Sequence, residues 1–137
     1  MKVHGSCHCG HVRFVAEADP QLTSICHCND CQKLTGTAFR LSTPALPGSF
    51  ALTQGTPKVY IKVAESGARR AQAFCPECGS PLYTYDADKP TPIGLRVGVL
   101  DERRALPPTW QKWCDVALDW TQSLAEVERA PRDQRGA

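Results

Sequence analysis

The chain has 137 residues, eight cysteines and a formal net charge of +2, a length that suits one domain. Leu, Ile, Val and Phe together make up just under a fifth of it, so the apolar core is lean and calls for disulfide or metal staples. Sixteen basic residues against fourteen acidic ones exclude a nucleic-acid footprint, no apolar run is long enough for a transmembrane helix, and the start lacks a signal-peptide core, so the expectation is a cytoplasmic protein without membrane or nucleic-acid partners.

In chain order, residues 11–18 read as a strand, because Val12, Phe14 and Ala16 alternate with Arg13, Val15 and Glu17. Asp19-Pro20 ends it, and residues 22–26 read as a further extended stretch. Residues 29–36 read as a knuckle followed by a short helical turn, stopped by Gly36. The next strand is expected at 38–43, closed by Pro44 and Pro47-Gly48. Val59, Ile61 and Val63 alternate with Tyr60 and Lys62, Ser66-Gly67 supplies a turn, and residues 69–74 return toward Cys75. Stretches 82–85 and 93–100 complete a set of short strands separated by turn residues, which implies a mainly β architecture. One persuasive helix is expected late, with Asp119 as its cap and Leu118, Leu124 and Val127 near one face. Residues 1–128 are read as a single domain and 129–137 as a disordered tail. Trp110, Trp113 and Trp120 are read as core residues, and Cys114 as a small buried hydrophobe.

The cysteines fall as Cys7-x-Cys9, Cys26-x-Cys28-x2-Cys31 and Cys75-x2-Cys78, with Cys114 alone. Tight doublets are poor disulfide geometry and good chelating geometry, and thiolates select zinc, Cu(I) or iron–sulfur chemistry. Three such clusters in one short chain point to zinc. On a strand, residues i and i+2 share a face, which would present Cys7 with Cys9 and Cys26 with Cys28. The spacing leaves two assignments open. Two closed four-thiolate sites would use all eight cysteines, Cys114 included. Alternatively, Cys7, Cys9, Cys75 and Cys78 close one site and leave Cys26, Cys28 and Cys31 on an open one.

Gly5-Ser6-Cys7-His8-Cys9-Gly10-His11-Val12, Cys26-His27-Cys28-Asn29-Asp30-Cys31-Gln32-Lys33 and Phe74-Cys75-Pro76-Glu77-Cys78-Gly79-Ser80 resemble, in this order, the three motifs of the glutathione-dependent formaldehyde-activating enzyme family, shared with the centromere protein V domain. The resemblance implies a zinc-stapled fold of coiled antiparallel β strands, similar to methionine sulfoxide reductase B and Rab-exchange-factor-like proteins. It implies two zinc ions: a structural one on Cys7, Cys9, Cys75 and Cys78, and a second on Cys26, Cys28 and Cys31 with a place open for water or a substrate thiol. It further implies a carbon–sulfur lyase type of reaction on thiol–aldehyde adducts, as in S-(hydroxymethyl)glutathione synthesis from glutathione and formaldehyde.

Glutathione carries two carboxylates, so cations should line its pocket; Lys33 and Arg40 lie near the second cluster in sequence. His27 is placed to donate a proton to the new alkoxide. The alternative is a zinc-stabilised binding module of the same fold without turnover. A methionine sulfoxide reductase with Cys114 as nucleophile is a third reading, weakened by the lack of the expected flanking residues.

Overall fold

The computed structural model describes residues 1–89 and 92–133. Ten strands are present among them: β1 (Lys2–Ser6), β2 (Arg13–Glu17), β3 (Ser24–Cys26), β4 (Arg40–Pro44), β5 (Ala51–Gln54), β6 (Lys58–Val63), β7 (Arg69–Phe74), β8 (Pro81–Asp86), β9 (Gly94–Arg96) and β10 (Trp110–Lys112). The α-helix, α1, spans Asn29–Thr35. The protein is therefore mainly β. A three-stranded sheet has the order β1-β2-β5, and a seven-stranded sheet the order β10-β3-β4-β9-β8-β7-β6. All named pairings are antiparallel except that of β10 with β3.

One apolar cluster joins the two sheets. Val3, Phe14 and Ala16 from the small sheet pack with Ala73, Tyr83 and Leu95 from the large one. Phe14 is central: its ring lies 5.3 Å from that of Phe50 and 5.8 Å from that of Tyr83. It also sits opposite Gly5 in the β1–β2 register, where a side chain on Gly5 would collide with the ring.

The other face of the large sheet is polar, and the register shows why. Cys26 pairs with Arg40, Ser42 with Arg96, Gln72 with Thr84, and Thr84 with Gly94. Directly paired residues and residues two apart share a face, so Cys26, Arg40, Arg96, Gln72 and Thr84 lie on one side. Asp30, at the start of α1, pairs with Lys62 of β6 at 2.9 Å, tying the helix to the far edge strand.

Several expectations are corrected. The late helix is instead a run of 3-10 turns over Asp119–Glu126, broken at Ser123, with Leu118 rather than Asp119 in the cap position. A segment that packs no apolar stripe has nothing to hold an α-helix in place, and Leu124 and Val127 are indeed exposed. Trp110, Trp113 and Trp120 are each more than half exposed and contribute nothing to the core. Cys114 is exposed, not buried. Of the expected 93–100 strand, residues 94–96 form β9; Val97–Val99 turns, and Leu100 makes an isolated antiparallel bridge to Gly5 of β1. Of the expected tail, residues 134–137 lie outside the described residues.

Candidate metal and thiol site

None of the eight cysteines is in a disulfide. Seven fall into two groups, Cys7–Cys9–Cys75–Cys78 and Cys26–Cys28–Cys31, and within each the sulfurs lie within 4.8 Å of one another. Cys114 belongs to neither.

The first group is built from two facing knuckles. β1 ends at Ser6 and the chain must reverse to return as β2, so residues 7–10 form a turn closed by Gly10 N–H to the Cys7 carbonyl at 3.1 Å. Gly79 N–H to the Cys75 carbonyl, at 2.9 Å, closes the second knuckle. Gly10 and Gly79 both have left-handed φ, 81° and 77°, a conformation open to glycine without a Cβ penalty. The strand argument for pairing Cys7 with Cys9 is thus superseded: the turn brings the sulfurs together. Backbone amides point at them, Val12 N–H to Cys7 Sγ at 3.2 Å and Glu77 N–H to Cys75 Sγ at 3.4 Å.

Cys7 and Cys9 sulfurs are 3.7 Å apart, and those of Cys9 and Cys75 3.8 Å. A tetrahedron with metal–sulfur bonds of about 2.3 Å has sulfur–sulfur edges of about 3.8 Å. Geometry and donor chemistry therefore fit a tetrahedral thiophilic ion such as zinc. Without one, the Ser80 hydroxyl, 3.2 Å from Cys78 Sγ, and the Cys9 amide hold the Cys78 thiol down at about 5.

The second group is local. Cys26 ends β3, Cys28 caps α1 with its Sγ 3.4 Å from the Cys31 N–H, and Cys31 sits buried in the first turn. Here too the i, i+2 strand argument fails, because Cys28 already belongs to the helix cap. Among the described residues, no fourth Cys, His, Asp or Glu donor joins the trio. The hydrogen bond from Cys31 draws the Cys26 thiol down to about 5, while the same bond and burial push Cys31 up. The Lys112 charge adds to the lowering of Cys26.

His27 lies between two ligand candidates but is buried. Its Nε2 is 2.7 Å from Gln111 Oε1, and its ring packs edge-on against Phe39. Nδ1 has no hydrogen-bond partner. Lys33 is exposed in a shallow groove with Gln32, Thr37, Leu118 and Trp120. Arg40 turns elsewhere: its Nη2 donates to Gln72 Oε1 at 3.1 Å. The structure does not gather Lys33 and Arg40 around one ligand. It instead places Arg96 beside Arg40, its Nη2 donating to the same Gln72 oxygen at 3.0 Å. Sequence reasoning missed Arg96 and Gln72, which lie outside the second cysteine motif and far from it in sequence; only the strand register could have located them beside Arg40.

The sequence pattern of the family described as glutathione-dependent formaldehyde-activating enzyme matches residues 2–116, a span that takes in both cysteine groups. The chain belongs to this family. A Halomonas elongata protein with the provisional name glutathione-dependent formaldehyde-activating enzyme is 30% identical over 141 residues, covering 98% of this chain and 86% of its own length. A crystal structure of a Rhodobacter sphaeroides protein shares the fold of this family member with a TM-score of 0.61 at 22% identity, covering 82% of this chain and 100% of that one. Among the described residues, no helix of this family member is long and apolar enough to cross a membrane.

Proposed function

We propose that the protein is a two-zinc enzyme of the carbon–sulfur lyase type that joins a thiol to an aldehyde, with glutathione and formaldehyde as the first pair to test. The observation that carries this reading is the three-cysteine group, Cys26, Cys28 and Cys31, with no fourth protein donor among the described residues. Three ligands and a vacant fourth position make the layout of a reactive site, whereas the four-cysteine group is closed, as structural sites are. Family membership supports the same chemistry.

In this reading Cys7, Cys9, Cys75 and Cys78 hold the structural ion, and Cys26, Cys28 and Cys31 the second. When bound there, zinc would supply a place for a substrate thiol and lower its pKa. The substrate thiolate attacks the aldehyde carbon, a carbon–sulfur bond forms, and the carbonyl π pair moves onto oxygen. The proton lost by the thiol ends on that oxygen, so the sum is an addition; the reverse breaks the carbon–sulfur bond. The Cys28 backbone amide favours the charged form of Cys26, and the half-buried Arg40 guanidinium works toward that of Cys31 against the effect of burial. A proton-relay role for His27 would have to use Nδ1, because Nε2 is committed to Gln111.

The test is the exchange rate between free formaldehyde and its glutathione adduct, followed by NMR with zinc-loaded protein. Acceleration by the native chain and none by Cys28→Ser is the expected result. The uncatalysed rate in both would reduce the protein to a zinc-stabilised binding module.

A further inference from the structure

The polar face of the large sheet carries two guanidiniums that lack an obvious counter-charge. Arg96 is 7% exposed and Arg40 half-buried. Both donate to a single oxygen, Gln72 Oε1, at 3.0 and 3.1 Å. That oxygen has two lone pairs, and both are used. The Nε of Arg40 is buried with no partner at all. Ion pairs such as His4–Glu102, Lys62–Asp30 and Arg69–Asp88 lie elsewhere, and among the described residues neither guanidinium has a carboxylate.

A buried and a half-buried cation sharing one neutral amide are costly. Burial and the neighbouring Arg40 charge pull Arg96 down to about 9, which still leaves it charged at neutral pH. The nearby cysteine trio offsets part of this. Three thiolates around a divalent ion leave one negative charge, against two positive ones. One cation is still unmatched.

A cavity of about 340 Å³ opens on the Arg96 side of this pair, with Arg40 outside its lining. Arg96 and Gln72 form its polar wall, and Leu34, Tyr60, Phe74 and Pro81 its apolar remainder. A guanidinium fork matches a carboxylate in shape and charge.

We propose that Arg40 and Arg96, bridged by Gln72, form a carboxylate subsite beside the Cys26–Cys28–Cys31 group, so that the substrate thiol is one bearing a carboxylate at a few bonds' distance. This rests on the reading of that group as a thiol site. Lys33, in its separate groove, takes no part.

The test uses zinc-loaded protein and titration calorimetry with glutathione, its diethyl ester, and S-methylglutathione, whose sulfur cannot become a thiolate. A charge-assisted hydrogen bond is worth roughly tenfold in affinity or more, so the native protein should prefer glutathione over the diester by about tenfold at least. Gln72→Glu places a carboxylate between the guanidiniums with little change in shape. It should bind glutathione and diester alike, keep the native affinity for the diester, and melt no lower than the native protein. Arg96→Met should lose the same preference. Equal native affinity for glutathione and diester, or a preference that survives Gln72→Glu, overturns the subsite. If neither thiol binds, the thiol-site reading fails and S-methylglutathione decides the subsite. Binding that Gln72→Glu abolishes sustains it, and no binding overturns it.

Discussion

Replacing Gly5 by alanine tests how tightly the two sheets are locked. Gly5 stands directly opposite Phe14, and a Cβ there would overlap the ring at Cζ and Cε1, with even Cε2 only 2.5 Å away. Carbon atoms rest at about 3.5 Å or more, so the ring must retreat by roughly 1 Å or further. Phe14 has nowhere to go: it is 1% exposed and wedged against Phe50 and Tyr83. Overpacking of this kind costs about 3 kcal/mol, the upper part of the usual range. For a chain of this length that lowers Tm by roughly 10 °C. Thermal unfolding of the metal-loaded protein, followed by circular dichroism, reads the shift. Phe14→Leu alone should cost about 1–2 kcal/mol, and the double variant should melt above the sum of the two penalties, because the shorter side chain makes room for the methyl group. A Gly5→Ala protein melting within a degree of the native one, or strictly additive penalties, would refute the reasoning.

The two cysteine groups should fail differently. Cys78→Ser should remove one zinc and most of the cooperative unfolding transition, whereas Cys28→Ser should remove one zinc and leave a folded protein; native mass spectrometry and melting curves taken together check this, and equal melting temperatures would count against separate roles. Cys114→Ser should leave zinc content and Tm unchanged, since Cys114 is exposed and outside both groups; a fall in metal content would sink that assignment. Glu102 reports on acid stability. Burial raises its pKa, but hydrogen bonds from the His4 ring and backbone amide outweigh it and leave the group below its ordinary 4.5. A depressed carboxyl contributes stability that is present above its unfolded pKa and lost as pH falls through the folded value. The melting difference between native protein and Glu102→Gln should therefore be full at neutral pH and shrink below about pH 4.5; a difference that grows on acidification would contradict it.

Much of this was legible in the chain itself, and what was not has physical causes. The β6–β7 hairpin follows from the alternation of Val59, Ile61 and Val63 ahead of the Ser66-Gly67 turn, and the expected returning strand 69–74 is β7 itself. β1 was hidden because one of its two inward residues is Gly5, which carries no apolar signal. β5 and β10 were hidden because every residue in them is exposed, so no period exists to be read. The three tryptophans misled for the converse reason: their size argues for burial, but the chain after residue 106 crosses the outside of the molecule and buries none of its side chains among the described residues. At the site, the close-set doublets and the trio could be read from spacing, whereas the joining of Cys7 and Cys9 to Cys75 and Cys78 was what the family resemblance implied. Arg96 and Gln72 could not, because they meet Arg40 only through strand register.

The two groups also differ in the length of chain they close, and that sets an order of assembly. Cys26, Cys28 and Cys31 sit on six consecutive residues, while Cys9 and Cys75 meet across a separation of 66. Closing the longer loop costs about 2 kcal/mol more in chain entropy. During synthesis the trio is complete before β4 has been made, whereas the four-cysteine group waits for residue 78. If both groups take zinc as proposed, a growing chain completes the site proposed to be reactive first and the four-cysteine staple last. Chains truncated before Cys75 should then carry one zinc rather than none. Under the proposed two-zinc reading, the second ion would reach a chain whose hairpins are already forming, and zinc scarcity would stall folding at that step rather than at the beginning.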